Sequence, residues 1–105
     1  MPSTKEFLNF ILEQLNELPE ITYRPMMGEF LVYYQGRLAG GIYDDRLLIK
    51  NVPSARNFMP DAELVSPYDG AKQMLLVDNV DDKEFLSGLF NAIYDELPVP
   101  KTKKK

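Results

Sequence analysis

The clearest pattern in the chain is a two-residue periodicity of apolar positions between residues 21 and 50. This spacing predicts strands, because successive side chains of a strand point to opposite faces of a sheet. Two pairs of turn-forming residues, at 35–36 and 44–45, divide the region into three runs. We therefore predict a three-stranded antiparallel meander. Its apolar positions are Phe30, Val32, Tyr34, Leu38, Ile42, Leu47 and Ile49.

Apolar residues outside the meander recur at the spacing of amphipathic helices. The first predicted helix begins at an S-x-x-E capping box, residues 3–6, and ends before Pro19. The last begins near Asp81, with Glu84 in its first turn, and ends at Pro98. A short helix is predicted over residues 53–59, where a proline occupies the favoured first position. These helices would cover the apolar face of the sheet.

The remaining segments predict further strands and one irregularity. Residues 73–77 form a continuous apolar run that suits a central strand, and residues 64–65 form a weaker run, read as a loop or short edge strand. Pro25 cannot donate to a ladder, so the residues before Gly28 are expected at an edge or bend. Glycines at 40–41 inside a strand predict a bulge or a close approach. The residues expected to be buried are Leu15, Ile42, Ile49, Leu76 and Leu89.

Composition narrows the chemistry by exclusion. The chain has 105 residues, of which 45% are hydrophobic, so it can bury the core of one domain. It lacks both a signal-peptide layout and an apolar run of the roughly 20 residues that a membrane helix needs. No cysteine or histidine is present, which removes thiol nucleophiles, thiolate metal sites and the commonest general base. We expect a cytoplasmic protein without catalytic residues, metal or cofactor.

The net charge of −4 conceals an uneven distribution. Four of the twelve basic residues lie in the last five positions, so residues 1–100 carry eight basic and sixteen acidic side chains, a balance of −8. An acidic body repels phosphate backbones, which argues against nucleic-acid binding by the isolated domain. Residues 99–105 are predicted to form a flexible basic tail. A weaker hypothesis makes this tail a tether to nucleic acid.

Several short motifs occur in a fixed order along residues 3–98. The ordered series resembles the N-terminal domain of the TfoX-like (Sxy) protein family. The motifs are YRPMMGE at 23–29, YY at 33–34, GGIYDD at 40–45, LLIK at 47–50, YDGA at 68–71 and MLLV at 74–77.

The resemblance implies an α+β fold in the order helix, three strands, helix, two strands, helix. The sheet would be antiparallel, with four to five strands and helices packed on one face. Full-length members of that family carry a separate helical C-terminal domain and are linked to transcriptional regulation of competence. The family has no established catalytic residues to carry over. A role in transcription regulation through protein binding is the function that the resemblance implies.

The candidate interaction surface combines polar, thioether and aromatic side chains around the meander. Methionine suits adaptable contacts, and exposed tyrosines can bury a partner. We expect a protein partner, with a second copy of the chain as one candidate, and no membrane contact. The alternative is a small-ligand-binding protein, or a carboxylate-based enzyme, with a cleft between the sheet and the short helix. The candidate surface residues are Arg24, Met26, Met27, Glu29, Tyr33 and Tyr43.

Overall fold

The fold is organised on a six-stranded antiparallel sheet with strand order β1-β2-β3-β4-β6-β5. It is seen in a computed structural model that describes residues 4–26 and 28–98. Met27 and the predicted tail, residues 99–105, lie outside the described residues. The strands are β1 (Ile21–Met26), β2 (Glu29–Tyr34), β3 (Arg37–Tyr43), β4 (Arg46–Ile49), β5 (Leu64–Val65) and β6 (Met74–Leu76). The helices are α1 (Lys5–Gln14), α2 (Pro53–Phe58) and α3 (Lys83–Ile93), the last followed by a 3-10 turn (Tyr94–Glu96).

The α+β class and the antiparallel sheet are confirmed, and the strand count is corrected. Four strands rather than three precede α2, and the sheet has six strands rather than four to five. The additional strand is β1, which Pro25 had marked as an edge or bend. The weak run at residues 64–65 is the two-residue strand β5, paired with β6 at the other edge.

Pro25 fits in β1 because of where its missing N–H would point. The Glu20 carbonyl accepts a hydrogen bond from the Gln35 N–H at 2.9 Å, just beyond the first β1–β2 pair. Hydrogen-bonded pairs alternate along an antiparallel ladder, so the even-numbered residues of β1 bond to β2. Pro25 is odd-numbered and faces the open edge, where the absent donor costs no ladder bond.

The main core lies between one face of the sheet, here called the helix face, and the three helices. Four of the five residues predicted to be buried, Leu15, Ile42, Ile49 and Leu89, are fully buried in it. The prediction for Leu76 is wrong. This residue is half-buried and pairs with Leu48, which lies outside the core cluster on the opposite face.

Side-chain caps hold the first turns of the two long helices. The Thr4 hydroxyl oxygen accepts the Phe7 N–H at 3.2 Å, and an Asp82 carboxylate oxygen accepts the Phe85 N–H at 3.1 Å. Each cap lies one residue beyond the predicted position, at Thr4 and at Asp82. In the part of the chain that the structure describes, no helix is long and apolar enough to cross a membrane.

The predicted irregularity at residues 40–41 is a β-bulge with close backbone contacts. Val32 pairs with Gly40 and Tyr33 pairs with Leu38. Ala39 of β3 is therefore an extra residue that has no pairing partner on β2. A Cβ added to Gly41 would meet the Tyr43 ring at 2.6 Å. The glycine therefore allows the Tyr43 ring to lie flat against the sheet.

The N-terminus of α2 receives its cap from the far end of the chain. The Glu96 carboxylate accepts the Ser54 N–H at 2.9 Å and the Ser54 hydroxyl. Val52 precedes the helix and provides no side-chain cap, so Glu96 supplies both the acceptor and the negative charge that a helix N-terminus favours. This contact ties α2 to the turn that follows α3.

The Glu96 contact predicts a pH-dependent contribution to stability. The Ser54 hydroxyl and the Ser54 N–H hold the pKa of Glu96 below its ordinary value. The stabilisation is therefore present above the ordinary glutamate pKa and is lost as pH falls through the lowered pKa of the folded state. We expect NMR titration of the Glu96 carboxyl carbon to show this lowered midpoint. Ser54→Ala is expected to raise it, and an unchanged midpoint in that variant would contradict the assignment.

Candidate functional site

The candidate residues converge on the face of the sheet that turns away from the helices, here called the second face. Directly paired residues of an antiparallel ladder share a face. Met26 pairs with Glu29, and the Asp44 N–H donates to a Glu29 carboxylate oxygen at 3.2 Å, which brings the next turn alongside. The second face therefore carries five of the six candidates. They are Arg24, Met26, Glu29, Tyr33 and Tyr43.

The second face is covered in part by the loop between β5 and β6, residues 66–73, here called the covering loop. Leu48 has no exposed surface and Tyr43 only 5%, although both lie outside the core beneath the helices. The Tyr68 ring of the covering loop lies 6.4 Å from the Tyr43 ring, centroid to centroid. The loop thus provides on this face the apolar cover that helices provide on the other.

A tight turn sets the position of Tyr68. The Ala71 N–H donates to the Tyr68 carbonyl at 3.1 Å, and Gly70 between them has a φ of 84°. A positive φ at the third position is the geometry of a type II turn, which glycine adopts without strain. The turn directs the loop back toward β6 after Tyr68.

A groove runs between the covering loop and the sheet. Its main part has a volume of about 340 Å³, and an adjoining hollow beside Glu29 measures about 450 Å³. The adjoining hollow is bounded by Met26, Glu29, Tyr43, Pro67 and Tyr68. We call the whole feature the tyrosine groove. Its inner walls are formed mainly by Leu31, Leu38, Tyr43, Pro67, Ala71 and Met74, with Lys50 and Lys72 at the end away from Glu29.

Only part of the predicted surface lines the groove. Met26, Glu29 and Tyr43 do, whereas Arg24 and Tyr33 lie beside it on the same face. The prediction missed the most exposed aromatic residue of the site. Tyr68 is 57% exposed, and its sequence signals were the YDGA motif that it begins and the Asp-Gly turn that follows it.

The Tyr43 hydroxyl stays protonated at neutral pH. Burial raises its pKa above the ordinary tyrosine value, and the neighbouring Tyr68, Glu29 and Tyr33 raise it further. A neutral phenol can both donate and accept a hydrogen bond. The site therefore offers a neutral polar group inside an apolar wall, with the Glu29 carboxylate beside it.

The alternative hypothesis placed a cleft beside the short helix. A hollow of about 290 Å³ does lie at the end of α2, with Asp61 and Asp78 among its lining residues. Both aspartates are exposed, and Phe58 of α2 packs against Phe85 of α3 at 5.3 Å between ring centroids. Across residues 4–26 and 28–98, no three acidic, histidine or cysteine side chains are grouped to hold a metal ion.

Comparison with known proteins finds a relative that is similar to this chain in sequence and in length. A protein from Spirochaeta aurantia, described as an uncharacterized 12.7 kDa protein in the trpE 5' region, is 27% identical over 105 residues. The alignment covers 99% of this chain and 91% of the relative. No protein-family model matches the chain, and no solved structure gives a significant match. The similarity thus extends over the whole domain, to a relative whose description names no activity.

Proposed function

We propose that this protein is a non-enzymatic binding module that docks a partner protein on the tyrosine groove. The observation that supports the proposal is Tyr68, which is 57% exposed above an apolar groove on the sheet face opposite the three helices. Aromatic and methionine side chains are enriched at protein interfaces. Tyrosine loses little conformational entropy when a partner covers it, because it has few rotatable bonds.

The resemblance to the TfoX N-terminal domain gives this module its proposed context. In that context the partner is a cytoplasmic protein that takes part in transcription regulation. The process that the two proteins would regulate is competence. A second copy of the chain is the other candidate occupant. The acidic balance of −8 over residues 1–100 supports a protein occupant over a nucleic acid, because phosphate backbones would be repelled.

Replacement of Tyr68 tests the proposal against a matched control. Tyr68→Ala is expected to weaken partner binding by about 30-fold, since a central interface aromatic is typically worth about 2 kcal/mol or more. Phe10→Ala removes an aromatic ring that is 39% exposed on α1, on the helix side, and is expected to leave binding unchanged. The measurement is affinity capture from lysate with quantitative mass spectrometry, followed by titration of the purified partner.

Two results would contradict this assignment. Equal recovery of the partner by wild type and Tyr68→Ala would place the interface elsewhere, and equal loss with Phe10→Ala would indicate general destabilisation. If the occupant is a second copy, sedimentation should show a dimer that Tyr68→Ala weakens and Phe10→Ala does not.

A small molecule is a further candidate occupant, because the groove volume of about 340 Å³ lies within the range of ligand pockets. A ligand of that size would be held without a protein partner. Native mass spectrometry of the protein purified from its own cells would show the bound mass, and Tyr68→Ala would release it.

A further inference from the structure

We infer that two copies of this chain associate through the outer edges of their β1 strands, in one antiparallel register around a two-fold axis. The inference goes beyond the proposed function, because β1 contains neither Tyr43 nor Tyr68 of the tyrosine groove. It is carried by residues 20–24, EITYR, and by a hollow that lies beside them. Two copies of this segment, run in opposite directions, match each other in backbone hydrogen bonds, in shape and in charge.

The outer side of β1 presents backbone groups that can pair with another strand. Within residues 4–26 and 28–98, β1 is the last strand of the sheet and its ladder runs to β2 alone. The even-numbered residues of β1 bond to β2, so the N–H and C=O groups of Ile21 and Tyr23 point outward. The four residues from Thr22 to Pro25 are exposed, which leaves room for a second strand. Such an edge is a template for strand addition.

Two prolines select the register of the pair. Pairing of Tyr23 with Tyr23 of the second copy would oppose Ile21 to Pro25, which has no N–H to donate. Pairing of Ile21 with itself would oppose Tyr23 to Pro19, with the same defect. Pairing of Ile21 with Tyr23 avoids both prolines. Each such pair exchanges two backbone hydrogen bonds, and the two-fold axis repeats the pair.

A hollow of about 570 Å³ beside β1 receives a side chain in this register. Tyr23 is 39% exposed and shares the helix face with Ile21, because the two pair with the core residues Val32 and Tyr34. Tyr23 of the second copy lies directly opposite Ile21, so its ring enters the hollow. The two-fold axis makes this insertion reciprocal. The apolar lining of the hollow consists of Leu12, Leu15, Leu18 and Ile21.

The same register is complementary in charge. Arg24 of each copy lies opposite Glu20 of the other, and both side chains are exposed. The Glu20 carbonyl accepts the Gln35 N–H at 2.9 Å, which keeps residue 20 in line with the strand. Opposite charges that face each other across a ladder stabilise it, and a Thr22 pair on the axis is also favourable. Because residues 20–24 complement themselves, the partner that fits this edge is a second copy.

Exchange of the two charges tests the register. Glu20→Arg and Arg24→Glu each place like charges opposite one another, so each variant alone should dimerise about tenfold more weakly than wild type. An equimolar mixture of the two variants should recover wild-type association, because every arginine then faces a glutamate. The variant that carries both changes should recover it as well. Sedimentation velocity at low ionic strength and rising protein concentration measures the dimer fraction.

A single cysteine tests the pairing geometry, since the chain has none of its own. Thr22 would face Thr22 of the second copy in a pair whose Cα atoms are about 4.5 Å apart, a distance that a disulfide spans. Thr22→Cys is therefore expected to give a covalent dimer with oxidised glutathione. Leu64→Cys is the control, because Leu64 is 44% exposed on β5 at the opposite edge of the sheet. It should remain largely monomeric.

Three results would each overturn the inference. They are a wild-type protein that stays monomeric at high concentration, a mixture of the charge variants that associates no better than either alone, and equal cross-linking of Thr22→Cys and Leu64→Cys. Circular dichroism checks that each variant keeps the fold.

Tyr68→Ala separates this dimer from the proposed function. It should leave the β1 dimer intact while it weakens partner capture. A dimer that Tyr68→Ala weakens and Arg24→Glu does not would place the second copy on the tyrosine groove, and the β1 register would be wrong.

Discussion

Phe90→Ala is expected to lower the free energy of unfolding by about 3–5 kcal/mol. Phe90 is the largest fully buried side chain, lies on α3, and packs against the Tyr34 ring at 6.1 Å between centroids. Truncation would remove its apolar burial and leave a cavity between α3 and the sheet. Because a domain of this size is stable by only about 5–15 kcal/mol, the variant should be close to unfolding. Urea denaturation followed by circular dichroism measures the loss.

The exposed aromatic Phe10 supplies the control for this truncation. Phe10→Ala makes the same chemical change at a side chain that is 39% exposed, so a loss of about 1 kcal/mol or less is expected. The account of the core would be wrong if Phe90→Ala cost less than about 1 kcal/mol, or if the two variants cost the same.

Gly40→Ala is expected to destabilise the fold by about 3 kcal/mol or more, through backbone displacement rather than lost contacts. A Cβ at this position would meet the Leu48 carbonyl oxygen at 2.1 Å and the Ile49 Cα at 3.0 Å. Both atoms belong to β4, so neither can move without disturbing the centre of the sheet. Thermal and urea unfolding both measure the effect.

Gly70→Ala provides the comparison, because it adds a methyl group without a steric clash. No heavy atom lies within 4 Å of the added Cβ, but the φ of 84° is unfavourable for alanine, which costs about 1 kcal/mol. The close-approach explanation would be contradicted if Gly40→Ala cost no more than Gly70→Ala.

The alternation of apolar residues predicted the centre of the sheet and missed its edge. β2, β3 and β4 were identified because their apolar positions face one core. β1 has four consecutive exposed residues, Thr22 to Pro25, and therefore shows no two-residue pattern of its own. It is a strand because β2 offers it six pairing partners. Such pairing is a tertiary effect, and the sequence of β1 alone does not contain it.

Leu76 shows a second limit of pattern reading. It lies in a continuous apolar run in which both faces carry leucine or valine, so periodicity cannot assign a face. The pairing of Leu48 with Leu76 places both on the second face. The covering loop buries Leu48 from the second face of the sheet. No local sequence pattern predicts the path that this loop takes.

The candidate site was predictable where it lies on strands and was missed where it lies on the loop. Glu29 was named because it flanks a bend of the meander, Met26 because methionine suits adaptable contacts, and Tyr43 because it is an aromatic residue on a strand. Tyr68 and Lys72 join them only because the loop folds across the sheet. Loop residues gain their neighbours from distant parts of the chain, so sequence spacing carries little information about them.

The central claim is that a partner protein covers the tyrosine groove, and photo-cross-linking tests it most directly. A photo-reactive phenylalanine derivative would replace Tyr68 in one variant and Phe10 in another, each expressed in the cells from which the protein comes. We predict a discrete cross-linked product with one partner, or with a second copy of the chain, at position 68 and none at position 10. A product at position 10 with none at position 68 would contradict the claim.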